Sequence, residues 1–292
     1  MELRTTDLAP AQVLLEAFNL ARKTRIVDVG ANPLDDPPYG PLLRAGGCSV
    51  TGFEPQKEAY DSLLKTKGPD ETYLPYAVGD GSTKTLHINR SSGMTSVFLP
   101  NQPALKAISL ARWGKLVGTE EMQTVAIDAD DDFGPFDLMK IDIQGGEVDV
   151  FRGAETALKT ATAVIVELRY FPLYEGEPML GGVDTELRRQ GFSFHKFLHT
   201  SSRTLPNSQR DRLRVLRMRD QAIDGDVVYL RNLAQLPGCD DAQLKHLSIT
   251  ASAVFASHAL ALHVLDLLVA RGAAEAGLPA AYVDALPASL RK

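Results

Sequence analysis

Cysteine is nearly absent: Cys48 and Cys239 are the only two in 292 residues. Two distant thiols without metal-ligand spacing exclude a disulfide framework, and they fit a reducing cytoplasm. Positive charge is also short, at 31 Lys plus Arg against 37 Asp plus Glu, a balance of −6. Such a chain lacks the bulk field that draws proteins to phosphate backbones, so no nucleic-acid partner is expected. Long apolar runs are missing as well. The most apolar stretch, 251–270, is broken by Ser257, His258, His263 and Asp266, whereas a membrane span needs about 20 mostly apolar residues. Residues 1–10 hold Glu2, Arg4 and Asp7 and no apolar segment of signal-peptide length. What remains is ordinary globular composition, 44% apolar and 23% charged. A cytoplasmic protein is expected, with room for one large domain or two modest ones.

What is present is an alternation of helix-like and strand-like segments. Residues 11–22 carry apolar side chains at helical spacing, and Ile26, Val27 and Val29 form a short apolar run ended by Gly30. Asp36 as cap and Pro37 in the first turn predict a helix ending at Gly46-Gly47. Strands are expected at 50–53, 72–78, 137–142, 163–168, 192–197 and 226–230, with an extra one at 83–88. Helices are expected at 56–65, from Gln144 through about Leu158, and at 183–189. The βαβα order predicts a parallel sheet covered by helices on both faces. Between the last two strands no helix pattern is visible, which predicts antiparallel neighbours there. Residues 235–292 are rich in alanine and leucine and read as helical, with one helix near 252–271 apolar on every side and therefore buried against the sheet or a second copy.

In open α/β sheets ligands bind beyond the carboxyl ends of the strands. Four acids fall at or near such ends: Asp28, Glu54, Asp142 and Glu167. Gly30 in Asp28-Val-Gly-Ala-Asn32 permits a tight turn and close backbone approach. The G-x-G-x-x-G fingerprint and the P-loop are both missing, and Asp35 and Asp36 set negative charge where a pyrophosphate would sit. A cofactor without phosphate fits better, and S-adenosylmethionine is one. Glu54, at the end of the second strand, can accept hydrogen bonds from both ribose hydroxyls; its plainer role is capping the helix after Pro55.

Asp28-Val-Gly-Ala-Asn32, Gly52-Phe-Glu-Pro55, Ala77-Val-Gly-Asp80, Gly93-Met-Thr-Ser96, Lys140-Ile-Asp-Ile-Gln-Gly-Gly-Glu147 and Asp226-Val-Val-Tyr-Leu230 together resemble FkbM-type methyltransferases, a class I S-adenosylmethionine-dependent family. The resemblance covers about residues 24–231. It implies a Rossmann-like seven-stranded sheet with an antiparallel last strand, and methyl transfer to oxygen on sugars, glycans or similar small metabolites. By position, Asp28, Gly30 and Asn32 would line the methionine end of the cofactor, with Ala31 in the same turn. Glu54 would bind the ribose with Pro55 beside it, Ala77 and Val78 would lie near the adenine, and Asp142 beside the sulfonium and the acceptor. The chain departs from the family at Pro33–Pro38, where a further glycine is common, and at Gln144, where Glu is frequent.

A hydroxyl acceptor must lose its proton to a positioned base. The candidates are Asp142, Glu167 and His195; Asp142 could instead hold the cofactor's ammonium, and Glu167 could pair with an arginine. A divalent ion between Asp142 and Glu167 is compatible with the pattern, which does not establish one; the spacing of His195 with His199, and of His258 with His263, gives no metal site. Arg203, Arg210, Arg212, Arg214, Arg217 and Arg219 read either as a solvated face or as a lid for an acidic acceptor. The expected organisation is an N-terminal helix at 1–23, a cofactor-binding domain at 24–233 and a helical extension at 234–292 that could form a homodimer. A nicotinamide-dependent oxidoreductase and a non-catalytic assembly protein are the alternatives from other classes.

Overall fold

The structure is a computed structural model and describes residues 7–33, 36–129 and 133–292. The chain opens with α1 (Ala9–Phe18), which has Pro10 in its first turn and stops where Asn19 turns left-handed, short of the expected Arg22. Then follow β1 (Thr24–Val29), α2 (Gly40–Arg44), β2 (Cys48–Phe53), α3 (Lys57–Thr66) and β3 (Glu71–Leu74). The middle holds β4 (Ala77–Val78), β5 (Thr83–Asn89), α4 (Gln102–Ala107) and β6 (Leu116–Val125). β7 (Leu138–Ile141), α5 (Glu147–Arg152), β8 (Ala163–Arg169), α6 (Leu180–Arg189), β9 (Phe192–Phe197), β10 (Ser201–Arg203) and β11 (Gln221–Arg231) complete the sheet region. The tail forms α7 (Asp241–Ala253), α8 (His258–Ala270) and α9 (Leu278–Asp284).

Among the described residues the main sheet runs β10-β11-β8-β7-β1-β2-β3, with β9 also paired to β11. The five strands from β8 to β3 are parallel, and β11 is antiparallel to all its partners. This is the Rossmann-like sheet that the FkbM resemblance implies. The edge place beside β11 is shared: β9 pairs with Val227–Arg231 and β10 with the other half of the strand, Gln221 to Asp224. β4, β6 and β5 make a separate three-stranded sheet.

Several expected boundaries move. The strand expected at 72–78 is two strands in two sheets, broken at Pro75, which has no N–H to give a ladder. Asp36 and Pro37 do not start a helix: α2 begins at Gly40, and Asp36 instead forms a two-pronged ion pair with Arg44. Asp35 lies outside the described residues. The helix expected to reach Leu158 ends at Gly153, and a 3-10 turn at Ala157–Lys159 follows. The single helix expected near 252–271 is the end of α7 and all of α8, separated by a bend in which Ala256 is left-handed.

Alternation along the strands gives two cores. Ile26, Val50, Leu138, Ile165 and Val228 face α1 and the tail, packing with Leu14, Leu247, Val264, Leu265 and Tyr282. Their neighbours Val27, Met139, Val164, Val166 and Val227 face α5 and α6, packing with Phe151, Val183 and Leu187. The tail is thus one of the two helical layers over the sheet. Each fully buried leucine there contributes about 1.5–3 kcal/mol. A capping box at Asp240 and Gln243 starts α7. Among the described residues no helix is long and apolar enough to cross a membrane.

Candidate functional site

A cavity of about 980 Å³ opens at the carboxyl ends of β1, β2 and β7, where the parallel sheet rule places ligands. Asp28, Gly30, Ala31, Asn32, Glu54, Pro55, Ala77, Val78 and Asp142 all line it. Sequence reasoning therefore brings these nine together. Glu167 and His195 are not among the lining residues.

Gly30 is fixed by two requirements. Its φ is +83°, and a Cβ there would meet the Asp142 carbonyl oxygen at 2.1 Å. The β1 turn and the β7 end are therefore in backbone contact, and the Gly30 and Ala31 amides both donate to the Phe53 carbonyl at 3.0 Å. Asp28 is buried and engaged: Tyr39 donates to its Oδ2 at 2.5 Å, and Lys140 Nζ stands 3.2 Å from its Oδ1. Glu54 is only 3% exposed, and its Oε1 accepts the Gln56 amide at 2.8 Å. The capping role is real but takes one oxygen; no donor among the described residues is bonded to the other. Burial pushes this carboxyl up to about 7, against the pull of the Gln56 amide.

The Asp142 end is denser. Gln144 donates from Nε2 to Asp142 Oδ1 at 2.8 Å and to Glu167 Oε2 at 3.0 Å. Its Oε1 accepts from Arg169 at 2.5 Å and from Tyr174 at 3.1 Å. Two donors on one side and two acceptors on the other fix the amide's orientation. Gln144 has a left-handed φ of 63°, and Ser96 Oγ pins its carbonyl at 2.6 Å. Arg169 Nη1 lies 2.7 Å from Glu167, the arginine pairing that was the alternative for this residue. Burial and the Asp142 carboxylate push Glu167 well above its ordinary value, against the pull of Arg169. Burial works the same way on Asp142, but Lys140, Glu167, Arg169 and Gln144 outweigh it and hold Asp142 below its ordinary value. The geometry is two carboxyls joined by an amide, with the shifts of opposite direction on the two.

His195 is taken up elsewhere. Its Nε2 is 2.9 Å from Ser257 Oγ and its ring packs on Phe255, both at the α7–α8 bend. Burial and the Lys196 ammonium lower its pKa. None of the six arginines from Arg203 to Arg219 lines the cavity. Tyr39, Lys140, His199 and Asp226 do line it and were given no role there, although Lys140 and Asp226 open two of the motifs shared with the family. A signal existed for two of them: Lys140 and Asp226 sit inside apolar strands, where a charge demands a partner. Burial and nearby Asp142 raise the Asp226 carboxyl. Among the described residues no group of three or more His, Cys, Asp or Glu side chains is arranged to hold a metal ion.

No curated protein matches the chain. In solved structures it is similar to the 1,6-didemethyltoxoflavin-N1-methyltransferase of Burkholderia thailandensis, solved with 1,6-didemethyltoxoflavin and S-adenosylhomocysteine (10% identity, 77% of this chain and 79% of that one, TM-score 0.36). It is also similar to the C-terminal domain of precorrin-6Y C5,15-methyltransferase from Rhodobacter capsulatus (12%, 75% and 85%, 0.33). A third is a SAM-dependent methyltransferase from Aquifex aeolicus (12%, 77% and 91%, 0.32). The methyltransferase FkbM domain matches residues 28–194, more than half of the chain, and the protein belongs to that family.

Proposed function

We propose that the protein transfers a methyl group from S-adenosylmethionine to a hydroxyl oxygen of a sugar, glycan or other small metabolite. The observation that carries this is Glu54: a buried carboxyl with one oxygen unbonded among the described residues, in a cavity that the Gly30 turn, hydrogen-bonded to the neighbouring Phe53 carbonyl, also lines. That pairing suits a ribose diol beside a closely approached backbone. S-adenosylmethionine supplies a methyl group on a sulfonium, already a good leaving group. The chain's own residues bind, orient and take up a proton. Gly30, Ala31 and Asn32 form the cradle at the methionine end, and Ala77 and Val78 offer an apolar wall for the base. Asp142, held ionised, faces positive charge and attracts the ammonium and sulfonium. A carboxylate kept below its ordinary value is a poor base, so Asp142 acts by charge rather than by taking a proton. Asp226 and His199, in the same cavity, are the groups to which a hydroxyl proton goes. His195 acts in packing.

The acceptor is neutral and hydroxylated in this reading. The cavity's cations are already paired: Lys140 with Asp28, Arg44 with Asp36, and Lys84 with Asp80 and Asp149. Pockets for a single ligand run about 300–1,000 Å³, so a cavity near the top of that range holds donor and acceptor together. Calorimetry with S-adenosylhomocysteine tests the cofactor assignment. One site per chain is expected, and Glu54→Ala should weaken it at least about 100-fold, since two hydrogen bonds to a charged group contribute about 1.5–3 kcal/mol each. Affinity unchanged in that variant removes the assignment. Incubation of labelled cofactor with metabolite extract then identifies the product, and label on nitrogen or carbon rather than oxygen removes the O-methyl reading.

A further inference from the structure

Arg203, at the end of β10, and the segment from there to β11, with Arg210, Arg212, Arg214, Arg217 and Arg219, bring six arginines together in the sequence. Elsewhere seven of the twelve described arginines are paired with a described carboxylate, while Arg25, Arg90, Arg112, Arg231 and Arg291 are not. Arg22, Arg44, Arg152, Arg169, Arg188, Arg189 and Arg271 each have a carboxylate within 4 Å. None of the six does among the described residues, although Asp211 and Asp220 are their neighbours in the chain. The segment is built rather than loose. It makes 3-10 turns at Arg210–Arg212 and Val215–Arg217, and Thr204 Oγ1 ties it across to the Val215 carbonyl at 2.5 Å. Apolar side chains stand out among the charges. Leu216 is 73% exposed, the most of any large apolar residue in the described chain, and Leu205 and Met218 are exposed as well. At the base of the segment Arg203 stacks over the exposed ring of Trp113, 5.2 Å from its centroid.

We infer that this face docks on an anionic lipid surface. Free guanidinium groups match phosphate headgroups. Leucine and methionine between them match the headgroup–acyl boundary, and a tryptophan edge is suited to the interface. A nucleic acid would reward the arginines but not an exposed Leu216. In a chain of net charge −6, a local patch of this sign gives an oriented attraction that the whole molecule lacks. His199, which lines the cavity, lies two residues before β10, so the chain leads directly from the cavity lining into this segment. The docking does not depend on methyl transfer.

The test is co-sedimentation of the full chain with vesicles of phosphatidylcholine alone and of phosphatidylcholine with phosphatidylglycerol. Binding is expected only with the anionic vesicles, falling as salt rises from about 0.05 to about 0.5 M. Arg214→Glu with Arg217→Glu should weaken it about 10- to 100-fold, on the basis of about 1 kcal/mol per basic residue at such a surface. Leu216→Ser with Met218→Ser should weaken it about tenfold through lost insertion. S-adenosylhomocysteine affinity, read in parallel, should stay at the wild-type value and shows that the variants are folded. No binding to anionic vesicles overturns the inference. So does loss on arginine reversal with full binding by the Leu216 and Met218 variant, which would assign the patch to a soluble polyanion such as an oligonucleotide.

Discussion

At one end of the cavity Glu54 is a single buried carboxyl with one backbone donor. At the other end Asp142 and Glu167 share a web with Gln144, Arg169 and, through the Gln144 carbonyl, Tyr174. Both ends bury acid, and they differ in what offsets the burial. At Glu54 little does, so its carboxyl moves up to about 7. At Asp142 the lysine, the arginine and the amide outweigh burial and hold one carboxyl down, while its neighbour Glu167 is driven up. An isolated buried acid is adjustable and waits for a ligand to complete it; a networked one is set before any ligand arrives.

The sharpest break of this contrast is Arg169→Met. It keeps most of the side-chain volume and removes the cation that touches Glu167 and stands within 4 Å of Glu177 and Asp224. Breaking a buried pair from one side costs about 3–5 kcal/mol, and urea unfolding at neutral pH should show it. Glu54→Gln, by contrast, removes a charge that burial already disfavours, and it should leave the ligand-free protein as stable or more so. Equal losses in both variants would erase the distinction.

The isolated end was legible in the sequence, and of the networked end only its two acids, Asp142 and Glu167, were. Asp28, Gly30 and Glu54 sit at strand ends with glycine or proline close by, and short-range pattern finds such places. Asp142 was found in the same way. Gln144 is its close neighbour in the chain, but Glu167, Arg169 and Tyr174 come from further on and meet it through the pairing of β7 with β8. Nothing local in Arg169 says that it will meet the Gln144 amide. His195 shows the reverse error. Its alternation with phenylalanines describes a strand correctly, but which face meets Ser257 is decided by where α7 and α8 pack. The parallel sheet was readable from the alternation of strands and helices, and the antiparallel pairing of β9 with β11 from the missing last crossover. The ten-residue β6 was not, because its exposed, charged sequence lacks an apolar face. The tail was legible as helical from composition. Its place over the sheet follows from the second set of alternating strand residues, which needed a cover.

The isolated acid also predicts a pH signature. A carboxyl whose folded value is raised contributes stability below its unfolded value, about 4.5, and loses it as pH rises through about 7. The loss amounts to about 3 kcal/mol across that window. Wild type and Glu54→Gln compared by urea unfolding at about pH 4.5 and about pH 8 should diverge by that amount, with the wild type falling relative to the variant. Parallel stability across the window would mean that Glu54 is not isolated. Cofactor affinity should move the other way, because hydroxyl donors favour the ionised carboxylate, and it should rise with pH up to about 7.

Gln144→Glu probes the networked end with the smallest change of shape. The substitution keeps an acceptor for Arg169 and Tyr174 but replaces the N–H groups that now donate to Asp142 and Glu167. Three carboxyls then face one another where an amide had separated two. Burial and the Asp142 charge raise the introduced carboxyl, so the variant's deficit is small in acid, where it carries a proton that can replace one of the lost donors. The deficit grows as pH rises and that proton leaves. About 1–3 kcal/mol is expected at about pH 8, and a fraction of that at about pH 5, measured by urea unfolding against wild type. A deficit of the same size at both values would show that Gln144 matters for its packing and left-handed backbone rather than for holding two carboxyls in different states. The web at Asp142 would then be no better insulated from titration than Glu54.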